Sequence, residues 1–137
     1  MMQFLYVAAI LAAVALLGVS VSAQRTKPVT TGDWGGPSIG LTVGDSNADL
    51  QFDCAGGQIT QQLRINKSGS FRAEGTFTPV GPGPTRIGHE PQGRKVIYKG
   101  KVTGDKMTLD ITDSTTGEAL GTFTLTRGQA PRLRRCA

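Results

Sequence analysis

The stretch Ile39-Gly40-Leu41-Thr42-Val43-Gly44-Asp45-Ser46-Asn47-Ala48-Asp49-Leu50-Gln51-Phe52-Asp53-Cys54 places an apolar residue at every second position on either side of a polar break. Side chains of an extended strand point alternately to opposite faces. Ile39, Leu41 and Val43 therefore share one face of a strand, and Ala48, Leu50, Phe52 and Cys54 share one face of the next. Gly44 to Asn47 is a turn by composition. Two half-buried antiparallel strands are expected, with Asp53, flanked by Phe52 and Cys54, pointing away from the core as a turn or surface hydrogen-bonding residue.

The same period carries on downstream. It runs through Ile59, Leu63 and Ile65 and breaks at Asn66-Lys67-Ser68-Gly69. Phe71, Ala73, Gly75 and Phe77 then oppose Arg72, Glu74, Thr76 and Thr78. Val96, Tyr98, Gly100 and Val102 oppose Lys95, Ile97, Lys99 and Lys101. Met107, Leu109 and Ile111 follow a Gly104-Asp105 turn, and Gly121, Phe123 and Leu125 follow the turn at Asp113 to Gly117. A last segment, Pro131 to Cys136, is available to pair with an early strand. No window has helical period. The chain is all-β, and short links between successive strands favour an antiparallel meander of seven or eight strands. Such a meander removes its exposed edges by closing into a barrel. The inward glycines Gly75, Gly100 and Gly121 support closure, because glycine inside a strand permits sharp coiling. A two-sheet β-sandwich is the alternative.

Upstream, Phe4 to Leu17 is almost unbroken apolar sequence followed by Gly18-Val19-Ser20-Val21-Ser22-Ala23, with small residues where a signal peptidase reads. Residues 1–23 read as a signal peptide cleaved after Ala23, giving a secreted or periplasmic protein. An uncleaved N-terminal membrane anchor is the alternative. Residues 24–33 are polar and aperiodic and read as a flexible leader, and residues 34–137 as one domain. Met1 to Ala23 holds no charged residue, so the chain beyond it keeps all 15 basic and 10 acidic residues and the net charge of +5. A monomer without stable membrane insertion is expected after cleavage.

The chain has two cysteines, Cys54 and Cys136. In an exported chain of this size they are expected to form one disulfide that ties the C-terminus to the first third of the fold. Closing a loop of roughly 80 residues contributes about 4 kcal/mol in the chain-entropy model, a large share of a small domain's stability.

Two resemblances follow from these residues. Gly32-Asp33-Trp34 ahead of the first strand, with Arg127 in Thr126-Arg127-Gly128 near the last, resembles the Gly-x-Trp signature of lipocalins and related calycin barrels. The resemblance implies that Trp34 plugs the barrel floor and that Arg127 packs across its indole face. Over almost the whole domain, Trp34-Gly35-Gly36, Phe52-Asp53-Cys54-Ala55, Tyr98-x-Gly100, Gly121-x-Phe123-x-Leu125 and Arg135-Cys136 are similar to a family of small exported bacterial β-proteins. That resemblance implies export, one β-domain and a paired cysteine, and brings no activity with it. Members often carry His after the Asp-Cys-Ala triplet, where this chain has Gly56.

Catalytic chemistry finds little support in the residues. His89 is the only histidine, and it lies in the Pro/Gly-rich segment Pro79 to Gly93. A zinc site needs three or four ligands, and there is no Gly-x-Ser-x-Gly elbow. No metal or cofactor is expected, and no enzyme. Lys95, Lys99 and Lys101 lie on the outward face of one strand, and Arg132, Arg134 and Arg135 cluster late in the sequence. Solubility is the first reading of such charge, and attraction to anionic lipid headgroups or an acidic polymer such as a polysaccharide is the alternative. Too few aromatic residues are free to stack bases for nucleic acid to be a partner.

Three functions fit. A carrier would hold a small apolar or amphipathic ligand among Phe52, Phe71, Phe77, Tyr98 and Phe123, with Arg86 and His89 from the long loop at the entrance. The large inward residues are, however, numerous enough to fill a barrel this small. An inhibitor or partner of an envelope or extracellular protein would act through its surface loops. A hydrolytic enzyme would need Asp53, Arg86 and His89 to converge at one rim.

Overall fold

The computed structural model describes residues 25–80 and 93–136. The expected signal peptide and the loop residues Arg86 and His89 lie outside them. The described chain contains ten strands and no helix: β1 (Lys27–Pro28), β2 (Gly32–Gly36), β3 (Ile39–Val43), β4 (Ala48–Phe52), β5 (Ala55–Ile59), β6 (Arg64–Ile65), β7 (Ser70–Pro79), β8 (Arg94–Thr103), β9 (Lys106–Asp113) and β10 (Ala119–Arg127). Eight of them form a closed antiparallel barrel in the order β10-β2-β3-β4-β5-β7-β8-β9. The sandwich alternative is thereby excluded. Closure is made where β10 meets β2, through the partners Thr126↔Gly35 and Arg127↔Trp34.

Alternation in the sequence becomes the inside and outside of the wall. Ile39, Leu41, Val43, Ala48, Leu50, Ile59, Val96, Tyr98, Met107, Leu109, Ile111 and Leu125 are all buried in one cluster. Thr42, Asp49, Arg72, Glu74, Lys99 and Asp110 on the intervening positions are exposed. The aromatic rings fit inside because glycines leave room for them. Phe71 packs its ring against Gly100, and Tyr98 lies across Gly57 and Gly75, so that a Cβ on any of the three would overlap a ring or its hydroxyl. The Tyr98 hydroxyl donates to the Thr76 carbonyl at 2.6 Å. Gly121 marks a bulge in the β9–β10 pairing, where the register shifts between Ala119 and Gly121.

Three local expectations change. Cys54 does not continue β4. Asp53-Cys54 forms the tight link to β5, with Phe52 facing Ala55 across it, so Cys54 is exposed rather than inward. Part of the segment read as a flexible leader is fixed in place. β1 pairs with β6, Val29 donates its N–H to the Leu63 carbonyl at 2.8 Å, and the Val29 side chain is 3% exposed. Arg64 anchors this strap by donating from Nε to Thr26 Oγ1 and from Nη2 to the Thr26 carbonyl. Apolar burial at Val29, Leu63 and Ile65 outweighs the polar composition of the segment around them.

The Arg127 guanidinium pairs with Asp105 at 2.9 Å, and Arg127 is the direct cross-strand partner of Trp34. Finally, Pro131 to Cys136 adds no ladder. It makes one parallel bridge, Arg132 to Pro37, and lies as an arm on the outside of the barrel. The glycines of β2 and β3 admit it: a Cβ on Gly35 would strike the Gln129 carbonyl, and one on Gly40 would stand 2.9 Å from the Pro131 ring.

Candidate functional site

The two ends of the barrel differ. At one end the strap of Lys27 to Thr30 and the Leu63–Ile65 segment cover the interior with buried Val29, Leu63 and Ile65. At the other end, β4 and β7 finish and β10 begins, and their sequence places Phe52, Phe77 and Phe123 together. Phe52 stands 5.1 Å from Phe77 and 5.2 Å from Phe123 between ring centroids, tilted in both pairs. Tilted contacts at this distance are the favoured geometry of aromatic pairs. Phe52 is buried, whereas Phe77 and Phe123 are only partly so.

This end also carries the two large apolar side chains most open to solvent among the described residues, Val80 at 50% and Leu133 at 39%. Both are held close to the Asp53-Cys54 turn. Val80 donates its N–H to the Cys54 carbonyl at 2.9 Å. Leu133 precedes Arg134, whose N–H reaches Asp53 Oδ1 at 2.7 Å. The Cys54–Cys136 disulfide, with Cα atoms 5.4 Å apart, fixes the arm at the same point.

Of the residues the sequence suggests for ligand contact, the structure therefore brings three together. Phe52, Phe77 and Phe123 form one rim cluster. Tyr98 is 0% exposed and Phe71 is 6% exposed, and each is enclosed by its glycine seat rather than turned toward the rim. Arg86 and His89 are not among the described residues. Sequence reasoning passed over Val80 and Leu133. Both are lone apolar residues in polar surroundings, and only the tertiary contacts of their backbones reveal that they share an end.

The rim carboxylates are engaged in structure. The Arg134 N–H, then the Ser38 side chain, hold the Asp53 carboxyl below its ordinary pKa. Asp113 accepts the backbone N–H groups of Thr115 and Thr116 at 2.8 and 2.9 Å, and these donors lower its pKa in turn. Each carboxylate closes a turn or anchors the arm, as a short acidic side chain does when it caps neighbouring backbone donors. Among the described residues no group of three His, Cys, Asp or Glu side chains is placed to hold a metal ion, and no helix is long and apolar enough to cross a membrane.

Comparisons of the chain with family models, with curated proteins and with solved structures find no match.

Proposed function

We propose that this protein is an exported, non-catalytic binding barrel that takes an apolar or amphipathic group at its rim, on Phe77 and Phe123 backed by Phe52. The observation that carries the reading is the placement of two half-buried phenylalanines over a buried third, at the end of the barrel opposite the strap. An aromatic surface left part-open gains by taking an apolar group out of water, at about 25 cal/mol per Å² covered. Burial of Tyr98 and Phe71 within the core argues for a ligand held at the end of the barrel rather than in a lumen. The disulfide fits an oxidising compartment outside the cytosol. A charged outer wall around an apolar interior is the inverse of a membrane-spanning barrel. Kinship with calycin barrels is part of the proposal, supported by the closed eight-stranded meander with Trp34 buried inside it.

The second reading is a protein partner, favoured by Val80 and Leu133. An exposed apolar pair beside a covalently fixed turn is a suitable anchor for a partner's side chain. Binding of the fluorescent apolar probe anilinonaphthalene sulfonate separates the two. The ligand reading expects saturable binding to the wild type that is lost in Phe77→Asp and kept in Leu133→Asp. Equal binding to all three proteins would remove the rim cluster as the site.

A further inference from the structure

The side of the barrel carries a feature that the rim does not explain. β8 presents Lys95, Lys99 and Lys101 outward, and all three are exposed. Along a strand these positions span about 20 Å, with Lys99 and Lys101 about 7 Å apart. Arg72 of β7 is the direct cross-strand partner of Lys99. Like charges directly opposite one another on a sheet are destabilising, so this pairing is not what stability alone would select. Among the described residues the only ion pair is Arg127 with Asp105, so Arg72, Lys99 and Lys101 have no carboxylate within ion-pair distance there. Asp110, the cross-strand neighbour of Lys99 on β9, instead accepts the Thr122 hydroxyl at 2.7 Å.

These cations border a groove of about 560 Å³ in the outer wall, with Ser70 and Thr108 on its sides and the Gly100 backbone on its floor. Gly100 faces inward, with the Phe71 ring seated against it on the interior side. The lining thus joins three cations that have no ion-pair partner among the described residues to the hydroxyls of Ser70 and Thr108, the Asn66 side chain and one carboxylate, Asp110.

We infer that this groove on β7–β9 is an interaction surface for a linear acidic polysaccharide, with Arg72, Lys99 and Lys101 pairing with its carboxylate or sulfate groups. Charge complementarity selects an anion, and the run of cations along one strand selects a chain of anions over a single ion. Hydroxyl-bearing Ser70 and Thr108 suit a sugar's own hydroxyls. An anionic membrane is a poorer occupant, because interfacial binding draws on apolar side chains next to the cations. The two most exposed large apolar residues, Val80 and Leu133, lie instead at the rim. Nucleic acid would be expected to use exposed aromatic rings for stacking, and the groove's lining presents none beyond the buried Phe71.

The test measures affinity of the full domain for polygalacturonate, with neutral dextran, phosphatidylglycerol vesicles and double-stranded DNA as alternatives. The wild type is expected to bind polygalacturonate in a salt-dependent manner and to ignore dextran. Arg72→Gln/Lys99→Gln/Lys101→Gln should weaken binding by about tenfold or more at low salt and flatten its salt dependence. Arg25→Gln/Arg134→Gln/Arg135→Gln removes the same charge elsewhere and should cost less than about threefold. Circular dichroism and an intact disulfide establish that both variants fold. Equal loss in the two triple variants would reduce the effect to net charge and overturn the groove. Tighter binding to vesicles or DNA than to polygalacturonate would overturn the choice of partner.

Discussion

Three glycines decide how the interior is filled. Gly57 and Gly75 make room for Tyr98, and Gly100 for Phe71. Gly57→Ala would drive its methyl against the Tyr98 hydroxyl and toward the Thr76 carbonyl, 3.1 Å away, in a wall with no freedom to move apart. It should cost about 1–3 kcal/mol, the range for overpacking, read from the urea midpoint. An unchanged midpoint would mean that the ring is not seated there. Burial pushes the Tyr98 phenol pKa above its ordinary value. The unfolded chain releases that proton near pH 10 while the folded chain retains it. The Tyr98 contribution is therefore complete below about pH 10 and is lost as pH rises beyond it. Tyr98 is the only tyrosine after residue 6, so its ultraviolet titration should stay silent until the barrel opens in alkali. Reversible ionisation of the folded protein near pH 10 would contradict its enclosure. The sequence revealed Gly75 and Gly100 as inward-facing but assigned them to strand coiling, and it gave Gly57 no such role. Their second use, as seats for rings, depends on cross-strand register that periodicity does not specify.

At the scale of elements, the arm and the strap are additions to a ring that closes without them. β10 pairs directly with β2, whereas the arm is held by the Arg132 bridge, the Asp53 carboxylate and the disulfide. Replacing both cysteines by alanine should therefore leave the far-ultraviolet spectrum of the barrel intact and lower stability by about 2–5 kcal/mol. Protease cleavage should become faster, first of all after Arg132, Arg134 and Arg135. Loss of the β spectrum would make the disulfide a condition of folding rather than a clamp on the arm. β3, β4 and β7 to β10 were legible because each alternates over several residues. Two features were not. β1 and β6 have only two residues each, too few to set a period, and the Asp53-Cys54 hairpin hides inside an unbroken alternation, since a tight link between strands need not interrupt the pattern.

For the whole molecule, the account is of a filled barrel whose surfaces carry its work. The interior is packed, one end is covered by the strap, and the rim opposite gathers Phe52, Phe77 and Phe123. Their inward or outward sense was readable from alternation. Their meeting was not, because β4, β7 and β10 reach one end only through the stagger of a closed sheet. Native mass spectrometry of the protein purified gently from its own cells, compared with the same sample under denaturing conditions, tests the central claim most directly. The rim reading predicts a non-covalent apolar molecule that travels with the folded wild type, is lost on denaturation, and is absent from folded Phe77→Asp/Phe123→Asp. A wild type that is bare, or a variant that carries the same molecule, would contradict it.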